Sequence, residues 1–114
     1  MFTSKLPENY QWHKLAESYQ ELFADAVNGI RIIEVAGKKI TLAFFNDQIF
    51  AMAHKCPHSG GILGDGFIDA TGNIVCPLHK YRFCIKTGRN ISGEGYYLKT
   101  WAVETRIDGI YVGF

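Results

Sequence analysis

The sequence predicts an all-β domain of small antiparallel sheets, or a small sandwich, with one short helix and two loops at one tip. Apolar residues alternate with other residues at Ile40, Leu42 and Phe44, which is the period of a half-buried strand. Pairs of turn-forming residues such as Asn46-Asp47 separate the apolar runs. With 114 residues, of which 47% are hydrophobic, the chain fits one folded domain, which we expect to span residues 1–114.

The predicted elements follow in order along the chain. A first strand is expected at residues 11–16, and Ser18 is expected to cap a short helix because Glu21 stands at the capping-box position. That helix should end at about Asp25–Ala26, before Asn28-Gly29. Further strands are predicted at residues 30–35, 39–45, 48–53, 81–85, 98–104 and 110–114. The predicted turns are Gly37-Lys38, Asn46-Asp47, Thr87-Gly88 and Asp108-Gly109.

Two short motifs, Cys56-Pro57-His58 and Cys76-Pro77-Leu78-His79, indicate a metal centre. They fall in glycine-containing loops, which we place at about residues 54–66 and 74–88. Two thiolates and two imidazoles are the ligand set of a Rieske 2Fe–2S centre, in which two histidines replace two cysteines on one iron. A tetrahedral zinc site uses the same atoms and is the alternative, although the wide gap between the motifs is not typical of a zinc finger.

The flanks of both motifs resemble Rieske-type ferredoxins. Residues 76–88, with an aromatic-basic-Phe run and a Thr-Gly turn, are similar to the second cluster loop of that family, and residues 56–61 are similar to the first. The resemblance implies a Rieske iron–sulfur domain with one 2Fe–2S cluster as cofactor. It implies two thiolates on the buried iron and two imidazoles on the outer iron: Cys56 and Cys76, and His58 and His79.

The resemblance also implies a function. We expect a soluble, low-potential ferredoxin that carries single electrons from an NAD(P)H-dependent flavoprotein reductase to a terminal oxygenase or hydroxylase, and that is not itself an enzyme. The small subunit of an enzyme such as an NADH-dependent nitrite reductase is the alternative, and a zinc-stabilised binding module is a third. A stable complex on purification would favour the small subunit, whereas a carrier should purify alone.

Residues near the second loop bear on the reduction potential. Rieske proteins of cytochrome bc-type complexes join their two loops by a disulfide, and the matching positions here are Gly61 and Leu78, which cannot form one. Phe83 cannot donate a hydrogen bond to sulfur, and Tyr81 is expected to point elsewhere. Fewer donors stabilise the reduced cluster less, so we expect a potential near the low end of the Rieske range, about −150 mV.

Composition excludes other classes of function. A net charge of +1 argues against a nucleic-acid partner, which usually meets a clustered basic surface. No apolar run approaches the roughly 20 residues that cross a bilayer, and residues 1–9 lack the pattern of a signal peptide. Three cysteines cannot make a disulfide framework, so we expect a reducing, cytoplasmic location without a membrane partner.

Other notable residues are expected to be structural. We expect Cys84 to be a buried thiol, His54 to be a surface residue at a strand end, and Trp12 and Trp101 to anchor the core. The loop at residues 90–97 contains no proline, so two interpretations stay open. Either the loop is mobile, or its two tyrosines, Tyr96 and Tyr97, cover the cluster.

Overall fold

Nine short antiparallel strands and one α-helix are found in the residues that this computed structural model describes, which are 11–26, 28–58 and 60–114. In chain order they are β1 (Trp12–Ala16), α1 (Tyr19–Phe23), β2 (Ile30–Val35), β3 (Lys38–Phe45), β4 (Gln48–Ala53), β5 (Phe67–Ile68), β6 (Asn73–Val75), β7 (Arg82–Cys84), β8 (Thr100–Arg106) and β9 (Gly109–Gly113). A six-stranded sheet has the order β1-β9-β8-β4-β3-β2, and a three-stranded sheet has the order β5-β6-β7. The predicted all-β fold class is confirmed.

The three-stranded sheet belongs to an insertion in the six-stranded one. The chain leaves the large sheet after β4 and returns to it at β8, and we call residues 54–99 the inserted segment. The two ends of this segment are held side by side, because the Ala53 N–H donates to the Lys99 carbonyl at 2.9 Å. Both cysteine–histidine motifs lie in the inserted segment, so the large sheet acts as its platform.

Two groups of buried side chains hold these parts together. One group lies on the large sheet and α1, and includes Leu22, Ile40 and Val112. The other group joins the large sheet to the inserted segment, where Met52 packs with buried residues such as Phe83. Both motif cysteines are members of this second group: Cys56 and Cys76. The candidate site is therefore built onto a packed core and not onto a free loop.

The turn chemistry explains where the long hairpins end. Asn46 and Asp47 adopt φ of 53° and 61°, so the predicted turn between β3 and β4 is confirmed and is of type I′. Between β2 and β3, the two positive-φ residues are Ala36 at 52° and Gly37 at 80°. The predicted Gly37-Lys38 turn was therefore wrong by one residue. Glycine supplies the second left-handed position of the turn, and Lys38 is already paired with Val35.

The helix begins as predicted and ends early. The Ser18 hydroxyl accepts from the Glu21 N–H at 3.4 Å, and the Glu21 carboxylate accepts from the Glu17 N–H at 2.9 Å. The helix ends at Phe23 and not at Asp25–Ala26, because an N–H···O bond from Ala26 to Phe23 at 3.0 Å tightens the chain there. Among the described residues, no helix has the length and apolar character needed to span a bilayer.

Strands β5 and β6 were not predicted. β5 is two residues long, follows Gly66, and exists through its pairing with β6, in which Phe67 lies opposite Val75. Gly66 permits this approach, since a Cβ at this position would lie 1.9 Å from the Val75 carbonyl oxygen.

Candidate metal centre

The two motifs fold into loops with matching backbone hydrogen bonds. In the first loop the Cys56 N–H donates to the Gly61 carbonyl at 2.8 Å, and in the second the Cys76 N–H donates to the Tyr81 carbonyl at 2.8 Å. Both bonds span five residues, and a proline follows each cysteine. The two cysteines are therefore presented by the same kind of turn.

Backbone N–H groups also point at both sulfurs. The His58 N–H lies 3.5 Å from Cys56 Sγ, and the Leu78 N–H donates to Cys76 Sγ. In each loop the donor is the residue two positions after the cysteine. Such bonds favour the thiolate form that a metal requires.

The loops touch one another at a glycine. A Cβ placed on Gly61 would lie 3.0 Å from Cys76 Sγ and 3.1 Å from the Leu78 side chain. Gly61 and Leu78 are the positions predicted to match the bridged cysteines of bc-type Rieske proteins, and the structure places them in contact across the two loops. No disulfide is present among the described residues, where all three cysteines are free.

The four candidate ligands form a buried pair and an outer pair. Cys56 and Cys76 are 2% and 0% exposed, whereas His58 is half-buried and His79 is exposed. The two imidazole centroids are 4.9 Å apart. Two thiols inside and two imidazoles outside suit two irons that take two protein ligands each. No three His, Cys, Asp or Glu side chains of the described residues converge on the position of a single ion.

The electrostatics of the site fit a metal cluster. Burial raises the pKa of the Cys76 thiol above its ordinary value, and the adjacent Cys56 thiol acts in the same direction. When a metal replaces the protons of these two thiols, its positive charge offsets the free-energy cost of burying the thiolates. Nδ1 of His58 is buried without a hydrogen-bond partner among the described residues, as expected of a nitrogen that donates its lone pair to a metal.

Two tyrosines enclose His58. The Tyr81 ring stacks on it at 4.0 Å between centroids, and the Tyr96 ring meets it edge-on at 5.5 Å. The prediction that Tyr81 points elsewhere concerned its hydroxyl and the cluster sulfurs; the stacking of its ring on His58 was not predicted. Its hydroxyl makes no hydrogen bond to a described residue, so none reaches the sulfur of Cys56 or Cys76.

The loop that carries Tyr96 is held by Asn90. The Asn90 amide nitrogen donates to the Arg82 carbonyl at 3.0 Å, and its oxygen accepts from the Glu94 and Gly95 N–H groups. These bonds favour the covering interpretation over the mobile one. Only one of the two tyrosines covers the site, since Tyr97 is 68% exposed.

The remaining predicted residues meet the expectation only in part. His54, the residue after β4, is half-buried with Nδ1 unpaired among the described residues, and its carbonyl accepts from the Leu63 N–H at 3.1 Å. Cys84 and Trp12 are half-buried as well. Trp101 is half-buried and packs against the buried group of the large sheet, in agreement with the prediction that it anchors the core. Burial favours the neutral Cys84 thiol, yet hydrogen bonds from Thr87 outweigh it and place the pKa of Cys84 below its ordinary value.

Solved structures share this fold. The chain matches, with a TM-score of 0.72 and 27% identity, a chain in the complex of reduced oxygenase and oxidized ferredoxin in carbazole 1,9a-dioxygenase, covering 89% of this chain and 91% of that one. It also matches a protein assigned as an NADH-dependent nitrite reductase small subunit from Mycobacterium tuberculosis, with a TM-score of 0.78 and coverage of 94% and 97%. Identity to the latter is 18%, so this likeness shows the fold alone.

Curated relatives match part of the chain. The 3-phenylpropionate/cinnamic acid dioxygenase ferredoxin subunit of Photorhabdus laumondii is 28% identical over 74 residues, which cover 64% of this chain and 70% of that one. Alignments with naphthalene dioxygenase ferredoxin components span 54% of their length. The family model of the Rieske [2Fe-2S] domain matches residues 11–100. This chain therefore belongs to the Rieske [2Fe-2S] domain family.

Proposed function

We propose that Cys56, His58, Cys76 and His79 are the ligands of the 2Fe–2S cluster of this family. The observation that carries the proposal is the pairing of two buried thiols with two outer imidazoles, presented by loops with matching hydrogen bonds. The cysteines would hold the inner iron and the histidines the outer one. When bound, the cluster supplies one-electron redox chemistry.

We further propose that the chain is a Rieske-type ferredoxin. It would take an electron from an NAD(P)H-dependent flavoprotein reductase and pass it to a terminal oxygenase or hydroxylase. Relatives that are ferredoxin components of dioxygenase systems support this partner class, as does the likeness to a chain of an oxygenase–ferredoxin complex. The protein would be a carrier that transforms no substrate, in one domain with cluster loops at residues 54–66 and 74–88. A cytoplasmic location would keep its cysteine thiols free.

The chain's own residues would tune this carrier. The N–H groups of His58 and Leu78 stabilise the two sulfurs as thiolates, and Tyr81 holds the His58 ring by stacking. Because neither Tyr81 nor Phe83 donates a hydrogen bond to sulfur, the reduced state gains little extra stabilisation. The expected potential stays near the low end of the Rieske range, about −150 mV.

Electron paramagnetic resonance tests the proposal. The purified protein, with iron and sulfide quantified, should show no signal when oxidised and a signal of low average g after dithionite, with two irons per chain. Cys76→Ala should abolish the signal. Cys84→Ala is the matched control and should retain it, because Cys84 lies outside both motifs. A colourless protein that binds one zinc after cluster assembly would instead favour a zinc-stabilised binding module.

The small subunit of a nitrite reductase is the second candidate. Its support is the similarity of fold to the Mycobacterium tuberculosis protein. Affinity purification from the native host separates the two functions. A carrier elutes without a stoichiometric partner, and a small subunit elutes with a large one.

A further inference from the structure

The two candidate histidine ligands differ in their access to a partner. His58 is half-buried beneath Tyr81 and Tyr96, whereas His79 is exposed. The nearest tyrosine ring to His79 is that of Tyr81, tilted at a centroid distance of 6.3 Å. A protein docking on this tip therefore meets the His79 side first.

An exposed lysine stands next to His79 in a costly backbone conformation. Lys80 has φ of +62° and follows His79 at +63°, in the left-handed region where glycine is free of strain. Residues held in such regions are concentrated at functional sites. The exposed side chain of Lys80 is therefore a candidate for a functional contact. Leu78, 45% exposed, adds an apolar contact on the same loop.

Charge is divided between the two parts of the chain. The inserted segment carries six basic and three acidic residues, while the rest of the sequence carries six basic and eight acidic ones. Within the inserted segment, Asp69 is paired with Arg82 at 3.3 Å. Lys55, which precedes Cys56, and Lys80 are exposed and make no ion pair with a described residue.

One acidic residue lies near the histidines, on the covered side. Glu94 is in the loop that carries Tyr96, and its carboxylate accepts from the Ser92 hydroxyl and the Asn90 amide. The Ser92 and Asn90 hydrogen bonds hold the pKa of the Glu94 carboxyl below its ordinary value, and His58 acts in the same direction. At the His79 edge, the residue that follows the histidine is the exposed cation Lys80.

We propose that the His79 edge of the tip is the docking surface for an electron-transfer partner with an acidic face, and that Lys80 supplies its main cationic contact. The inference rests on the proposed function as an electron carrier and names the chemistry of the partner's surface. Complementary charge of this kind raises the association rate and makes it sensitive to ionic strength.

The charge of the His79 edge can be tested without a partner protein by using two small oxidants of opposite charge. Dithionite-reduced protein, freed of excess reductant, is mixed in stopped flow with ferricyanide or with tris(phenanthroline)cobalt(III). Each oxidant takes one electron from the reduced protein, which gives ferrocyanide or the cobalt(II) complex. A cationic exit surface makes the rate constant with the anion fall, and that with the cation rise, as ionic strength increases.

Matched variants assign the effect to one residue. Lys80→Glu should slow the reaction with ferricyanide by about tenfold at low salt and accelerate the reaction with the cobalt complex, and Lys80→Gln should lie between. Lys39→Glu makes the same charge change at the exposed β2–β3 hairpin of the large sheet and should alter either rate by less than about twofold.

The outcomes separate the two proposals. Rate constants that do not change when Lys80 is replaced, or that rise with salt for ferricyanide, would overturn the docking inference. A Rieske signal in the same sample would still support the function as an electron carrier. A preparation with assembled metal but no reducible cluster would overturn the carrier itself.

Discussion

Gly61 is the residue at which the two cysteine loops come closest. Its missing side chain leaves room for the Cys76 sulfur, which would lie 3.0 Å from a Cβ. Its φ lies outside the left-handed region in which glycine is required. Space, and not backbone freedom, therefore selects glycine here.

The variant Gly61→Ala should disturb the cysteine pair. The sulfur or the backbone must shift by a few tenths of an Å, which we expect to cost about 1–3 kcal/mol. The measurement is the half-life of the visible absorption in the presence of an iron chelator, which should shorten several-fold.

The adjacent glycine is the control for this substitution. Gly60 has φ of +77° with no atom within 4 Å of a Cβ, and asparagine tolerates that conformation. Gly60→Asn should therefore leave the half-life unchanged. Equal losses in the two variants would contradict the steric explanation.

At the level of single residues, the sequence predicts the candidate ligands but not the side chains that surround them. The spacing of Cys56, His58, Cys76 and His79 identifies candidate ligands because ligand chemistry is local to each motif. The placement of Tyr81 on His58 was not predictable, since the two residues lie 23 positions apart and meet only through folding. The half-buried state of His54 has the same origin.

At the scale of elements, the turn between β5 and β6 is organised by one carboxylate. Asp69 accepts hydrogen bonds from the Thr71 N–H and hydroxyl and from the Asn73 N–H and amide, at 3.0–3.2 Å. It also pairs with Arg82 of β7. This carboxylate therefore links all three strands of the small sheet.

Asp69→Asn should destabilise that sheet by about 2 kcal/mol, because the amide cannot accept all these bonds as a carboxylate does. The measurement is the urea midpoint followed by circular dichroism. Asp65→Asn is the control, since the Asp65 side chain is exposed and makes no hydrogen bond to a described residue. A similar change in the two variants would contradict the assignment.

The same carboxylate should make stability depend on pH. Burial opposes its ionisation, but the bonds from Asn73 and Thr71 outweigh burial and hold the pKa of Asp69 below its ordinary value. Its contribution is therefore present above pH of about 4, and is lost as pH falls through the lowered pKa of the folded state. The difference in urea midpoint between the native protein and Asp69→Asn should narrow below pH 4.

Elements differ in how well the sequence predicts them. β2 and β4 were predicted with their observed limits because six residues with turn residues at the ends carry a strong local signal. β5 and β6, of two and three residues, exist only because tertiary pairing completes them. The helix end at Phe23 also depends on a local hydrogen bond that composition does not reveal.

At the scale of the whole molecule, the two buried groups should respond differently to loss of iron. Cys56 and Cys76 belong to the group that joins the inserted segment to the large sheet, and neither belongs to the other group. If Cys56 and Cys76 bind iron as proposed, its removal would leave two buried thiols without the metal. The resulting loss of stability should be concentrated in the inserted segment.

Hydrogen exchange of the iron-free protein checks this expectation. The amides of Cys56 and Cys76 should exchange about tenfold faster or more than in the iron-loaded protein, while those of Ile40 and Val112 should change little. Equal loss of protection at all four amides would show that the molecule responds as one cooperative unit.

The adjacency of Ala53 and Lys99 has a consequence for engineering. Because the inserted segment leaves and re-enters the large sheet at neighbouring positions, its two ends could be joined by a short turn without moving β4 or β8. The inserted segment is therefore an exchangeable unit. It could be exchanged for that of a relative, and its redox and docking properties would be transferred together while the sheet below stays the same.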